Sequence, residues 1–383
     1  MPIDLQTEHD AIDAATHLKQ QFAARAAHHD RTGVFAQENI NDLRQAGLLS
    51  LRISTPQRPT PFTLGVVQDI VGQIAQGDAS TALVMVNHYM VRAAIAHHEF
   101  GSGNTACWIE DEQHDQLLNI LLAEPDLGST SQGGLPSTVA TRTATGWILT
   151  GRKAYVTGIP GLSWLLVRAR TSDDPAQVGT FIVPAKADGI HVLENWDHIG
   201  MRASNSHEIT FTDVTLPPDA ALELYAPDTP PAERNTLVIW NTGLLGALYN
   251  GIATSALAWF CEFLKNRVPS NLGAPLATLP SMRDAVGGFI ITLHMNAMLL
   301  RLYATDVETM RPPHELKAHA AVIKTRVVDA AADFTSALLG LAGNAGLSAH
   351  NPLERAHRDA LCGRIHAPHA ELLRRIAGQK ALS

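Results

Sequence analysis

The sequence predicts an α+β chain in which a β domain is inserted between two helical ones. Three observations carry this. Apolar residues recur at helical spacing through the first third, period-two runs fill the middle third, and long unbroken helical stretches return from about Ala232. We place the boundaries at 1–120 for the N-terminal helical domain, 121–228 for the β domain and 229–383 for the C-terminal helical domain.

Residues 8–29 are rich in Ala, Leu, Gln and Lys, and Phe35–Ala46 repeats apolar residues at helical spacing before Gly47 supplies a C-cap. A loop with Pro56, Pro59 and Pro61 leads to helices at Thr63–Ala75 and at 78–100, the second opened by Asp78 as N-cap. Val139–Thr150, Ser163–Arg170, Val178–Pro184, Gly189–Leu193 and His207–Leu216 then read as short strands. Gly, Pro, Asp and Asn separate them at the intervals of an antiparallel barrel or sandwich. Helices follow at Thr236–Lys265, Leu279–Thr309 and His314–Leu341, with a short last one at Pro368–Lys380.

With 383 residues, 45% hydrophobic and 17% charged, the chain can bury substantial cores. A net charge of −8 without a basic run argues against nucleic acid or an anionic membrane surface as main partner. No run is expected to reach the apolar length of a membrane span, and the N-terminus lacks the pattern of a signal peptide. Cys107, Cys261 and Cys362 have no metal-site spacing and read as reduced thiols, so a soluble cytoplasmic protein without a metal is expected.

Several strings occur in an order that is informative together. They are Ala123-Glu124-Pro125-Asp126-Leu127-Gly128-Ser129, Gly151-Arg152-Lys153-Ala154-Tyr155-Val156-Thr157-Gly158, Gly200-Met201-Arg202-Ala203-Ser204 and Phe211-Thr212-Asp213-Val214-Thr215-Leu216-Pro217. Near the C-terminus stand Gly343-Asn344-Ala345-Gly346-Leu347 and Pro352-Leu353-Glu354-Arg355 with Arg358-Asp359-Ala360. Over essentially the whole chain this series resembles the acyl-CoA dehydrogenase superfamily. The resemblance implies a central antiparallel β-barrel, a C-terminal four-helix bundle, a homotetramer and a flavin cofactor, FAD or, in some branches, FMN.

A flavin ring needs a flat wall and a few hydrogen-bond donors, and the protein positions and tunes it. Thr157 can aim a hydroxyl at a ring nitrogen while Tyr155 covers the ring; the plainer reading is a strand-end threonine and a core tyrosine. Ser129, after Gly128, suits a phosphate or flavin-edge contact, or is a simple loop serine. The resemblance puts Arg267 on the dinucleotide of a neighbouring subunit, against a solvated helix end as the alternative. The family's glutamine before its Gly-rich turn is replaced by Gly340.

Dehydrogenation of an acyl thioester needs a carboxylate to take the α-proton. Counting from Arg358-Asp359-Ala360, the family's glutamate falls on Ala367 in Ile365-His366-Ala367-Pro368-His369. Glu233 is the candidate for a relocated base, with a solvated helix N-terminus as the other reading. Imidazoles surround the vacancy: His366 and His369 flank it, and His88 lies on the helix that lines the acyl pocket in the family. An imidazole beside a flavin can hydrogen-bond oxygen held there or take a proton near neutral pH. His366 and His88 are therefore the candidate catalytic residues, and His369 a candidate flavin contact. Leu-His-x-Pro in dibenzothiophene monooxygenase-like enzymes of the same fold is similar to Ile365-His366-Ala367-Pro368.

The sequence thus favours a two-component monooxygenase that acts on a small organic substrate with reduced flavin from a separate flavin reductase. A dehydrogenase or oxidase using Glu233 is the second reading, and a catalytically silent flavin-fold binding protein the third.

Overall fold

A computed structural model describes residues 5–100, 116–126, 128–129, 135–228 and 235–382, without the side chains of 128, 129, 313 and 314. Helices α1 (Glu8–Thr32), α2 (Gln37–Gln45), α3 (Leu64–Gly77) and α4 (Ala79–Ala96) come first. The Thr7 hydroxyl accepts the Asp10 amide of α1 at 3.1 Å, and the Asp78 carboxylate accepts the Thr81 amide of α4 at 2.9 Å, so both helix starts are side-chain capped. Aliphatic side chains make α3 and α4 buried around most of their circumference.

Strands β1 (Leu118–Leu121), β2 (Ala123–Glu124), β3 (Gly128–Ser129), β4 (Val139–Thr143), β5 (Gly146–Val156), β6 (Trp164–Thr171), β7 (Val178–Pro184), β8 (Ile190–Leu193), β9 (His207–Leu216) and β10 (Ala221–Tyr225) follow. The small β2–β3 ladder stands apart from the main sheet, whose order is β10-β7-β6-β4-β5-β9-β8, with β1 also on β6. This corrects the expected antiparallel barrel in two respects. The sheet is mixed, because β1 and β4 both run parallel to β6, β1 beside its first half and β4 beside its second. It is also open among the described residues, with β10 and β8 as its ends. Period-two patterning reveals strands but not partners; the chain leaves the β4–β5 hairpin and returns along the outer side of β4.

Beyond the sheet come α5 (Thr236–Asn266), α6 (Pro280–Glu308), α7 (Pro313–Ile323), α8 (Ala330–Ala342), α9 (Pro352–Leu361) and α10 (Ala370–Leu382). One π-turn, Lys324–Val328, joins α7 to α8 where the sequence suggested a continuous helix. The axis of this part is α5, which packs on α3 closely enough that a side chain at Gly251 would lie 2.6 Å from the Gly72 carbonyl oxygen. One core runs from α1 through the sheet to α5, and a second fills the far end of the bundle around Phe260, Phe334 and Leu353.

The expectation that no segment is long and apolar enough to span a membrane does not hold. Both α5 and α6 reach that length and hydropathy. Their settings differ: α5 is the bundle axis, with 67% of its most apolar stretch buried, whereas α6 buries 11% and exposes Ile290, Ile291, Met295, Met298 and Leu302.

Candidate active site

Two of the strings, 200–204 and 352–360, meet at one joint. A side chain at Gly200 would meet the Arg358 carbonyl oxygen at 2.2 Å, so the 200–204 turn lies directly on α9. The Met201 amide donates to the Asp359 carboxylate at 2.6 Å. The Arg358 guanidinium forks onto Asp30 at 2.9 and 2.6 Å, holds Glu354 and donates to the Ile199 carbonyl. α1, the sheet and the bundle are thereby clasped together. Burial pushes the Asp359 carboxyl up to about 7, against the opposing hydrogen bond from Met201.

The second structural use of a motif is Glu124. Its buried carboxylate accepts Lys153 Nζ at 2.7 Å, the Thr138 hydroxyl at 2.7 Å and the Ser137 amide at 2.6 Å. Burial brings Lys153 down to about 8 even beside this partner.

At the end of β5 the ladder to β9 slips: Lys153 pairs with Ile209 and Val156 with His207, one residue too many on β5. The bulge puts Tyr155 at φ +57° and turns its ring outward, 62% exposed, against the stacked pair Trp196–His198. Bulges re-aim side chains in this way. Tyr155 is thus an open aromatic face and not the core tyrosine of the plainer reading. Thr157 next to it is buried; its hydroxyl shares a hydrogen bond with Ser206 at 2.9 Å, and Ser206 with Ser204 at 2.8 Å. Asn119 Nδ2 donates to the Thr157 carbonyl at 3.0 Å, leaving the buried Asn119 Oδ1 without a partner among the described residues. An exposed ring, a hydroxyl and an orphaned amide oxygen fit one face and edge of a planar heterocycle that carries both donors and acceptors.

His366 follows the turn after α9. Its Nε2 lies 2.8 Å from the hydroxyl of Tyr249, a wholly buried residue of α5. Desolvation of the half-buried His366 ring, with the Lys324 charge adding to it, lowers it to about 4, so the ring is neutral at physiological pH. Burial raises Tyr249 well above its ordinary range, with Cys362, Asp359 and Asp329 contributing, so its hydroxyl keeps its proton and can donate. Lys324, in the π-turn, is buried, pairs with Asp329 at 2.7 Å and donates to the Gly363 carbonyl at the base of the same turn. π-turns are frequent at functional sites. Tyr249 and Lys324 were not singled out from sequence. An isolated lysine in Ala-Ala-Val-Ile-Lys-Thr-Arg-Val-Val was a readable signal; a single tyrosine in an apolar helix was not.

The remaining candidates separate. His88 is fully buried; Leu118 N–H donates to its Nδ1 at 3.2 Å and its Nε2 donates to the Leu49 carbonyl at 2.9 Å. Both its ring nitrogens are spent on backbone and burial pushes its basicity down to about 3, which is the setting of a core fastener. Tyr89 and Arg92 donate to Leu48 and Leu51 of the same segment. His369 is exposed at the start of α10 and Arg267 at the end of α5, and among the described residues no hydrogen bond or ring contact joins either to Tyr155, Thr157 or His366. The Ser129 backbone pairs with Ala123, while its side chain, Glu233 and Cys107 lie outside the described residues. Cys261 and Cys362 are free thiols, and no cluster of metal-ligating side chains occurs among the described residues.

The family model for the acyl-CoA dehydrogenase middle domain matches residues 119–214, and that for the acyl-CoA dehydrogenase C-terminal domain matches residues 244–371. The chain belongs to the acyl-CoA dehydrogenase superfamily of flavin-dependent oxidoreductases. It is 28% identical over 363 residues to the putative acyl-CoA dehydrogenase YdbM of Bacillus subtilis, covering 92% of this chain and 91% of that one. Its fold is similar to butyryl-CoA dehydrogenase from Megasphaera elsdenii, with a TM-score of 0.86, 22% identity and full coverage of both chains. It is also similar to the FMN-bound dibenzothiophene monooxygenase TdsC from Paenibacillus sp. A11-2, with a TM-score of 0.83, 23% identity and 96% of each chain covered.

Proposed function

We propose that the protein is the oxygenase of a two-component flavin monooxygenase acting on a small organic substrate. The observation that carries this is the His366–Tyr249 pair beside Ala367, where an acyl-CoA dehydrogenase would present a carboxylate base. The acids nearby are otherwise engaged, buried Asp359 by the Met201 amide and half-buried Asp329 by Lys324.

Reduced flavin, when bound, supplies two electrons with which dioxygen gives one oxygen atom to the substrate and leaves the other as water. Tyr155 and Thr157 would hold the ring, FAD in the dehydrogenase branch or FMN as in TdsC. With the Tyr249 hydroxyl as donor to Nε2, 2.8 Å away, neutral His366 would carry its own proton on Nδ1, the nitrogen then left to face oxygen or substrate. A separate flavin reductase is the expected partner, in a cytoplasmic setting. The exposed apolar stripe of α6 suits burial against further copies, as in a homotetramer.

The second reading, thioester dehydrogenation with Glu233 as base, is favoured by the similarity to YdbM. One experiment separates them, with indole, bound in a TdsC structure, as oxygenase probe and butyryl-CoA as dehydrogenase probe. Reductase, NADH, flavin and ¹⁸O₂ should yield indole carrying one ¹⁸O atom, while butyryl-CoA leaves the oxidised flavin coloured without air. Anaerobic bleaching by butyryl-CoA sinks the oxygenase proposal, and a flavin that reacts with neither probe points to the silent binding protein.

A further inference from the structure

The turn that carries His366 also walls a cavity of about 420 Å³ between α5, α7, the π-turn and α10. That size is in the range of roughly 300–1,000 Å³ typical of small-ligand sites. Leu245, Val328, Leu373 and Ile376 supply apolar walls, and Asn241 and Thr242 two neutral polar groups. The charged residues lining it are Lys317, Lys324 and Lys380; no Asp or Glu is among its described lining residues. Lys324 is the inner one, with its side chain 5% exposed. An ammonium has three N–H bonds. The Gly363 carbonyl accepts one, Asp329 lies beside the ammonium as an ion pair at 2.7 Å, and the third has no protein partner among the described residues.

We propose that this cavity binds a small, largely apolar molecule with a single anionic group, a carboxylate or phenolate, which seats against Lys324 with Lys317 and Lys380 at the mouth. Asp329 neutralises Lys324 in part, so the selection rests on the acid-free lining as a whole and on the direct hydrogen bond. A neutral ligand of the same shape fills the apolar walls but leaves the third N–H bond unmet. A cationic one adds repulsion. Calling this ligand the substrate rests on the oxygenase reading; its binding does not.

The test is calorimetric titration of the full-length, flavin-loaded protein with naphthalene-2-carboxylate, naphthalene-2-carboxamide and naphthalen-2-ylmethylammonium. The carboxylate should bind at least tenfold more tightly than the amide, and the ammonium least. Lys324→Met should erase the preference. Should that variant misfold, surface Lys317→Glu should reduce carboxylate affinity about threefold and leave the amide unchanged. Equal binding of carboxylate and amide, or binding of none of the three at millimolar concentration, overturns the proposal. So does Ile376→Glu, if light scattering shows that it splits an oligomer while probe binding is unaltered, because the cavity mouth would then belong to a contact between copies. Carboxylate selection without ¹⁸O incorporation into indole would sink the oxygenase reading alone; ¹⁸O incorporation without selection would sink this one alone.

Discussion

The hydroxyl of Tyr249 and Nε2 of His366, 117 residues apart in the chain, lie 2.8 Å from each other. The helix axis of the bundle thereby orients an imidazole on the turn that follows α9. A hydroxyl buried in α5 has little else to do, and a neutral imidazole needs one donor to settle its tautomer. Tyr249→Phe keeps the ring and its packing but removes that donor. We expect roughly tenfold slower oxygenation of indole, flavin affinity within a factor of two of the parent, and stability lower by about 1 kcal/mol. A histidine ¹⁵N spectrum should show Nε2 and Nδ1 exchanging tautomers in the variant. Parent-like turnover with a parent-like spectrum would remove Tyr249 from the site.

The pH behaviour of His366 follows from burial. Its basicity falls from the ordinary 6.5 to about 4 on folding, so between those values the unfolded chain binds a proton that the native one refuses. Stability is therefore fully present above about 6.5 and is lost as pH falls toward 4. Chemical denaturation from pH 7 to 4.5 should show this loss, and His366→Gln should reduce it by about 1–3 kcal/mol. An imidazole resonance that titrates near 6.5 in the native protein would contradict the assignment.

His88 is expected to matter for folding and not for chemistry. His88→Leu fills the same space but leaves the Leu118 amide and the Leu49 carbonyl buried and unpaired. Two such groups cost about 2–5 kcal/mol together. Turnover per folded molecule should stay within twofold of the parent, measured against flavin content. A specific loss of turnover at unchanged stability would return His88 to the active site.

Arg267 decides between FAD and FMN if the family's use of that position holds. Arg267 stands exposed at the end of α5, and the resemblance would put it on a neighbouring subunit's dinucleotide and away from the flavin ring. Arg267→Ala should weaken FAD about tenfold and leave FMN unchanged, read by equilibrium dialysis. Equal weakening of both would place Arg267 on the flavin or phosphate common to them.

The helical–β–helical order was legible because each period is a local property, and the strands Val178–Pro184 and His207–Leu216 coincide end for end with their expected ranges. Strand partners are not local. β1 and β10 went unread, and the parallel placement of β4 beside β6 depends on a crossover that no dipeptide announces. In the site, Ala367 and His366 were visible as a substitution inside a motif, while Tyr249 was hidden in an apolar helix and has meaning only once α5 faces the 363–368 turn. Glu124 shows the converse: a motif residue whose role is to neutralise a buried lysine.

Asp359 gives the clasp between the sheet and the bundle a measurable pH signature. Desolvation raises its carboxyl to about 7 in the folded protein, with Asp30 and Asp78 adding to the rise and Met201 and Arg355 opposing it. In the unfolded chain the value is about 3.9. The native state therefore holds a proton that the unfolded state has released, and the resulting stability, complete below pH 4, drains away as pH climbs to 7 and is absent above it. Asp359→Asn keeps an oxygen acceptor for the Met201 amide and cannot ionise. It should be more stable than the parent by about 1–3 kcal/mol at pH 8, with the difference closing toward pH 4. If the asparagine variant is instead the weaker one at pH 8, the carboxylate is charged in the fold, and its hydrogen bond to Met201 outweighs the cost of burying it.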